Sequence, residues 1–130
     1  MPHFLIDHSP NLADRLSMPD LLDHIRRAAI DTGVFPLAGI RVRAVAVDCV
    51  TMADGNPDHA YLDIIARIGE GRDPETRQRA LAEIFAAVEL FCRPVMETTS
   101  LMLSMELREI PAAMSLKSSS IRRHLPKEPT

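Results

Sequence analysis

The alternation of apolar and polar residues predicts four strands along the chain. His3–His8 alternates over a short run, and a Val-rich segment from Ile40 to about Met52 is typical of a longer strand. A third strand begins at His59 and has one apolar face throughout. The fourth strand, Leu101 to about Ile110, alternates in the same way.

Two segments instead have apolar residues at the spacing of one helical face. The first helix begins directly after Ser17, a plausible N-terminal cap, and Gly33 is a plausible stop. The second begins at Asp73 and Pro74, an acidic cap followed by proline at the first helical position. We expect Pro94 to end this helix, because proline lacks the amide proton that a helix interior needs.

The spacing from His3 to Met18 recurs from His59 to Pro74, which predicts the same strand-helix-strand unit twice. We therefore expect one α/β (α+β) domain over 1–110, a duplicated β-α-β unit divided at about 2–56 and 58–110. Right-handed crossovers would place both helices on one face of a four-stranded sheet. Residues 111–130 have no sustained periodicity and are interpreted as a polar C-terminal tail.

The segment from Ile40 to Met52 is apolar at both alternating positions, so it predicts a strand that is covered on both faces. Two helices on one side of the sheet leave the other face or its edge without cover. The sequence therefore predicts self-association, in which further copies of the chain bury that surface.

Composition narrows the class of protein. The chain has 130 residues, a net charge of -3 and few aromatic residues, which argues against a nucleic-acid partner. It has no apolar run of membrane-span length and no signal peptide, so we expect a cytoplasmic protein with no membrane partner. Cys49 and Cys92 have no metal-type or redox-type spacing and are expected to be reduced, buried thiols.

Pro2 is the first candidate for chemistry. If the initiator Met is removed, the nitrogen of Pro2 becomes a secondary amine, and burial would lower its pKa. A neutral amine near pH 7 is a general base. The plainer alternative is that proline merely begins a strand, where its missing amide proton costs nothing.

Three arginines are candidates for anion binding. Arg41 and Arg43 lie two residues apart on a predicted strand and so share a face. Arg72 lies in a Gly-containing loop directly before the second helix, where backbone and helix terminus favour anions. Arginine binds carboxylates through paired hydrogen bonds, although a solvated surface charge is the plainer interpretation of each one. The histidines form no cluster with metal-ligand spacing, so no metal is expected.

Four blocks of sequence, "MPHF", "TGVFPLAGIRVR", "MADGNPDHAY" and "IGEGRDPETRQ", occur in this order within residues 2–110. Together they resemble the 5-carboxymethyl-2-hydroxymuconate isomerase family of the tautomerase superfamily. The resemblance implies a homotrimer without metal or organic cofactor and Pro2 as catalytic base. It further implies that Arg41 and Arg72, with Arg43 as a less certain companion, bind the carboxylates of a di- or tricarboxylate substrate. The implied reaction is ketonisation of a dienol triacid in the breakdown of homoprotocatechuate, within 4-hydroxyphenylacetate degradation.

Two alternatives remain open at this point. The same proline and arginines would serve another reaction of the superfamily, either a simpler enol–keto tautomerisation or a hydrolytic dehalogenation. The chain would alternatively be a trimeric ligand-binding protein without turnover. A panel of substrates distinguishes the first alternative, and the mass of the natural N-terminus bears on the second.

Overall fold

A computed structural model describes residues 2–126 of the chain, so the last four residues of the predicted tail lie outside the described residues. Four strands and two helices follow the expected order. Their bounds are β1 His3–His8, α1 Met18–Asp31, β2 Arg41–Ala46, β3 Ala60–Gly69, α2 Pro74–Thr98 and β4 Leu101–Ile110.

The four strands form one mixed sheet in the order β2-β1-β3-β4. β1 is parallel to β2, and β3 is parallel to β4, so each helix connects a parallel pair of strands. The two halves meet where β1 and β3 run antiparallel. The predicted fold class, a duplicated β-α-β unit, is confirmed.

The hydrophobic core lies between the sheet and the two helices. β1 and β3 alternate strictly between buried and half-buried residues, so one face of the sheet is covered. The covered face packs against one apolar stripe of each helix. The largest buried side chains of this core are Phe4, Leu12, Leu21, Ile25, Leu62, Ile64, Ile68, Ile84 and Val88. The opposite face, which we call the open face, has no covering layer among the described residues.

Both predicted helix starts are confirmed by their capping hydrogen bonds. Ser17 Oγ accepts from the backbone N–H of Asp20 at 3.3 Å, and Asp73 Oδ1 accepts from that of Thr76 at 2.7 Å. These bonds satisfy amide groups that have no partner within the helix. The stop of α1 at Gly33 is confirmed as well, because this residue has a φ of +70°.

The second strand is shorter than predicted. β2 ends at Ala46, because its partner β1 ends at His8 and offers no further hydrogen-bonding groups. The segment after β2 leaves the sheet. The prediction that both cysteines are buried is therefore wrong for Cys49, which is exposed, and holds for Cys92.

The prediction that Pro94 ends the second helix is also wrong. α2 continues through Pro94 to Thr98. Pro94 lies on the exposed side of the helix, whereas the next residue, Val95, is 9% exposed and packs into the core. Burial of Val95 offsets part of the roughly 3 kcal/mol that an interior proline costs.

With 25 residues, α2 has the length of a membrane span but not its composition. Charged residues recur along its exposed side. Within residues 2–126, the structure contains no helix that is both long and apolar enough to cross a membrane.

Candidate active site

A cavity of about 450 Å³ lies at the edge of the sheet where β1 begins and where β3 and β4 end. The first residue of the predicted tail segment to reach it, Ala112, is held by its backbone N–H, which donates to the Glu70 carboxylate at 3.1 Å. The tail then runs along the cavity, so strand ends and tail together form its wall. The lining residues are His3, Pro36, Gly69, Glu70, Arg72, Ile110, Ala112, Ser115, Leu116 and Lys117.

Pro2 lies directly before β1 and is fully buried. Its carbonyl oxygen accepts a hydrogen bond from the backbone N–H of Arg41 at 3.1 Å, which fixes it beside the start of β2. Pro2 does not itself line the cavity, but the next residue, His3, does. The first candidate residue is therefore one position away from the cavity wall, in a desolvated environment.

Arg72 is held in a fixed orientation at the cavity wall. Its Nη1 donates to the carbonyl of Gly69 and its Nη2 to that of Val34, both at 3.3 Å. The guanidinium carbon lies 5.1 Å from the centre of the Phe35 ring, a cation–π contact. Arg72 forms no ion pair with any described carboxylate. The cavity therefore has a rigid positive charge with no counter-ion from residues 2–126.

Arg41 lies at the same edge of the sheet, next to His3 on the neighbouring strand. Its Nη2 donates to Nδ1 of His3 at 3.1 Å. From the other side, Nη2 of Arg67 approaches the same Nδ1 atom at 3.3 Å. Burial lowers the pKa of His3, and the adjacent Arg41 and Arg67 charges lower it further. His3 is therefore an uncharged imidazole held between two guanidinium groups.

Arg43 shares the open face with Arg41, as the sequence predicted, but it is one row further along the sheet, opposite Leu5. It is exposed and does not line the cavity. The structure therefore brings Arg41, Arg72 and Pro2 to one edge of the sheet and leaves Arg43 beside this group.

Three cavity-end residues were not singled out from the sequence. His3 was regarded as an isolated histidine, and Arg67 as a polar position of β3. Only the antiparallel register of β1 and β3 makes them neighbours. Lys117, which lines the cavity, lies in the tail, where no periodicity marks it. Of these three, Arg67 carried a readable signal, since it is a charge on a strand just before the "GEGR" loop.

The opposite edge of the sheet has a second cavity, of about 300 Å³, that includes His59. Both nitrogens of this ring have partners: Nδ1 lies 2.7 Å from Ser100 Oγ, and Nε2 lies 2.7 Å from Asp54 Oδ1. Hydrogen bonds, first from the Asn56 backbone and then from His59, lower the pKa of Asp54. Among the described residues, no group of three His, Cys, Asp or Glu side chains is arranged to hold a metal ion.

The duplicated β-α-β unit, with a buried proline at the start of its first strand, defines a tautomerase-superfamily fold. A solved structure titled 5-carboxymethyl-2-hydroxymuconate delta-isomerase is similar to it, with a TM-score of 0.90, 23% identity, and coverage of 100% of this chain and 96% of that one. Another, a 5-carboxymethyl-2-hydroxymuconate isomerase from Deinococcus radiodurans R1, has a TM-score of 0.87 and 27% identity. It covers 97% of this chain and 95% of its own.

Sequence comparison gives the family. The model of the 5-carboxymethyl-2-hydroxymuconate isomerase family matches residues 2–125. The curated 5-carboxymethyl-2-hydroxymuconate Delta-isomerase of Escherichia coli is 36% identical over 121 residues, which cover 93% of this chain and 96% of that protein. The chain belongs to the 5-carboxymethyl-2-hydroxymuconate isomerase family, and its class of activity is that of an isomerase.

Proposed function

We propose that this protein ketonises 5-carboxymethyl-2-hydroxymuconate, a dienol with three carboxylates, in the breakdown of homoprotocatechuate. The observation that carries this proposal is the meeting of Pro2, Arg41 and Arg72 at one edge of the sheet in a member of this family. Arg72 supports it most directly, because its charge faces a cavity without a carboxylate partner among the described residues.

Arg72 and Arg41 bind carboxylates of the substrate, and Arg43 assists from the neighbouring row. The contacts of Arg72 to two backbone carbonyls use one N–H group on each terminal nitrogen. A guanidinium has five N–H groups, so the remaining groups are available to an anion. Its orientation is already fixed, which reduces the entropy lost on binding.

Pro2 acts as the proton carrier once Met1 has been removed. Its neutral amine takes the proton of the 2-hydroxyl group, the O–H bond breaks, and the electron pair forms the ketone. The same nitrogen then returns the proton to the conjugated carbon, so the isomerisation balances within substrate and Pro2. Arg41 and Arg72 would disfavour the protonated amine and stabilise the negative charge that develops on the dienolate.

We also propose that the chain works as a homotrimer. The open face is uncovered in a single chain, and its two edge strands expose apolar side chains, Val45 and Met102, each 62% accessible. Edge strands and apolar patches of this kind are normally buried in an assembly. Light scattering at micromolar concentration should give about three times the chain mass, whereas a stable monomer would contradict this part of the proposal.

A substrate panel tests the proposed reaction. We expect rapid ketonisation of 5-carboxymethyl-2-hydroxymuconate and much slower turnover of a monocarboxylate enol and of a haloacrylate. Pro2→Ala retains a primary amine after Met1 removal, so it should keep reduced activity with poorer orientation of the nitrogen. Faster turnover of the haloacrylate would instead assign a dehalogenase, and no turnover of any compound would favour a binding protein.

A further inference from the structure

His3, Arg41 and Arg67 form a cluster in which cations outnumber partners. β1 lies between β2 and β3, so His3 has Arg41 directly opposite on one side and Arg67 on the other. Arg41 and Arg67 form no ion pair with any described carboxylate. Two guanidinium groups that approach one ring nitrogen repel each other, so the cluster lacks a compensating negative charge.

The hydrogen bonds fix which nitrogen of His3 carries the proton. Guanidinium groups only donate, so Nδ1 must accept from Arg41 and Arg67. A neutral imidazole with Nδ1 as acceptor has its proton on Nε2. The ring therefore presents Nε2–H as a hydrogen-bond donor.

Two donors of this cluster have no partner. Nε2 of His3 and Nε of Arg67 are both buried and make no hydrogen bond within the described part of the chain. A buried donor without an acceptor is costly, and such groups are rare in proteins. Both belong to side chains that already share a contact at Nδ1 of His3. Their coincidence indicates a missing acceptor at this position.

We propose that His3 and Arg67, together with Arg41, form a second carboxylate-binding subsite, separate from Arg72. The occupant is one carboxylate of the polycarboxylate substrate, so the assignment rests on the proposed function. His3 lines the cavity that Arg72 also lines, so one ligand with several carboxylates reaches both. Since the two donors are enclosed, binding requires a small rotation of these side chains, and the exposed Arg41 supplies the first contact.

Arg108 provides a matched control for Arg67. It lies directly opposite Arg67 on β4, in the same row of the sheet. Unlike Arg67, it has a partner, since its Nε donates to Glu106 at 2.9 Å. Replacing either arginine by glutamine removes the same charge from the same row, but only Arg67 belongs to the proposed subsite.

The experiment measures binding of tricarballylate, a non-reacting tricarboxylate, by calorimetry, and KM for the dienol triacid. Arg67→Gln should weaken tricarballylate binding and raise KM by about ten-fold or more, because a charge-assisted hydrogen bond is lost. Arg67→Lys should be intermediate, since it keeps the charge but not the planar group. Arg108→Gln should stay within about two-fold of the unmodified protein. Equal effects of Arg67→Gln and Arg108→Gln on binding would overturn the subsite.

Nitrogen-15 NMR of the unmodified protein gives a reading that needs no variant and no turnover. We expect the Nε2–H tautomer of His3, with a shift of its Nε2 resonance when tricarballylate is added. An Nδ1–H tautomer, or an unchanged resonance at saturating tricarballylate, would overturn the proposal. If the protein binds tricarballylate at His3 but turns over no dienol, the proposed function fails and the carboxylate subsite stands. Normal turnover with an unresponsive His3 gives the reverse result.

Discussion

The two edges of the sheet carry similar side chains in opposite states of hydrogen bonding. At the edge with His59, both ring nitrogens have partners, and Arg15 donates to the carbonyls of Asp58 and Ser100. At the edge with His3, one ring nitrogen receives two guanidinium groups and the other has no partner. Each edge has a cavity, so the presence of a cavity does not distinguish them.

The difference separates a structural cluster from a binding site. The side chains around His59 satisfy one another and hold the loop before β3 against the start of β4. Those around His3 keep donors and positive charge that the described residues do not compensate. Buried polar groups in proteins are normally paired, so an unpaired set at one edge identifies where a ligand is required.

The largest effect is expected for Arg72. Arg72→Ala removes a charge-assisted contact to the substrate worth about 1.5–3 kcal/mol, so turnover at low substrate concentration should fall by about ten- to a hundred-fold. Steady-state kinetics with the dienol triacid measures this, and thermal unfolding is the companion measurement. Unchanged activity together with a lower melting temperature would make Arg72 a structural residue, like those of the opposite edge.

His59→Ala should have the complementary effect. It removes the contacts to Ser100 and Asp54, so we expect a loss of about 1 kcal/mol in the free energy of unfolding. KM for the dienol triacid should stay within about two-fold. Urea unfolding and steady-state kinetics on one preparation test both statements, with Ser100→Ala as control. A large rise in KM with unchanged stability would show that the two edges had been assigned the wrong way round.

The smallest effect concerns the titration of His3. Its pKa should lie below the ordinary value of 6.5, because burial and the neighbouring arginines disfavour the imidazolium. Arg67→Gln removes one of these cations and should raise the pKa, whereas Arg108→Gln should change it less. NMR titration of His3 measures both shifts. A pKa that falls in Arg67→Gln would contradict the contact between these side chains.

Sequence alone predicts the fold where local rules decide the outcome. The caps at Ser17 and Asp73 set the helix starts, and strict alternation defines β1 and β4 with the bounds that are observed. β2 was predicted to extend to Met52, because a Val-rich run does not reveal where its partner strand ends. Pro94 was expected to stop α2, because proline chemistry is local and the packing of Val95 is not.

The candidate site divides in the same way. Pro2, Arg41, Arg72 and Arg43 can be proposed from sequence because motifs or spacing mark them. His3 and Arg67 cannot, since they are distant in the chain and only the register of two antiparallel strands makes them neighbours. Whether a polar side chain is already satisfied also depends on such contacts, and this property distinguishes His3 from His59.

The central claim is that the edge with His3 and Pro2 is catalytic, and the state of the N-terminus tests it most directly. Protein that begins at Pro2 and protein that keeps Met1 are separated from one preparation, and mass spectrometry confirms each. We expect rapid ketonisation of 5-carboxymethyl-2-hydroxymuconate by the processed form, with a rate that rises with pH as the amine loses its proton. The form with Met1 should be nearly inactive, because its Pro2 nitrogen is an amide with no basicity near neutral pH. Equal rates from the two forms would contradict the mechanism.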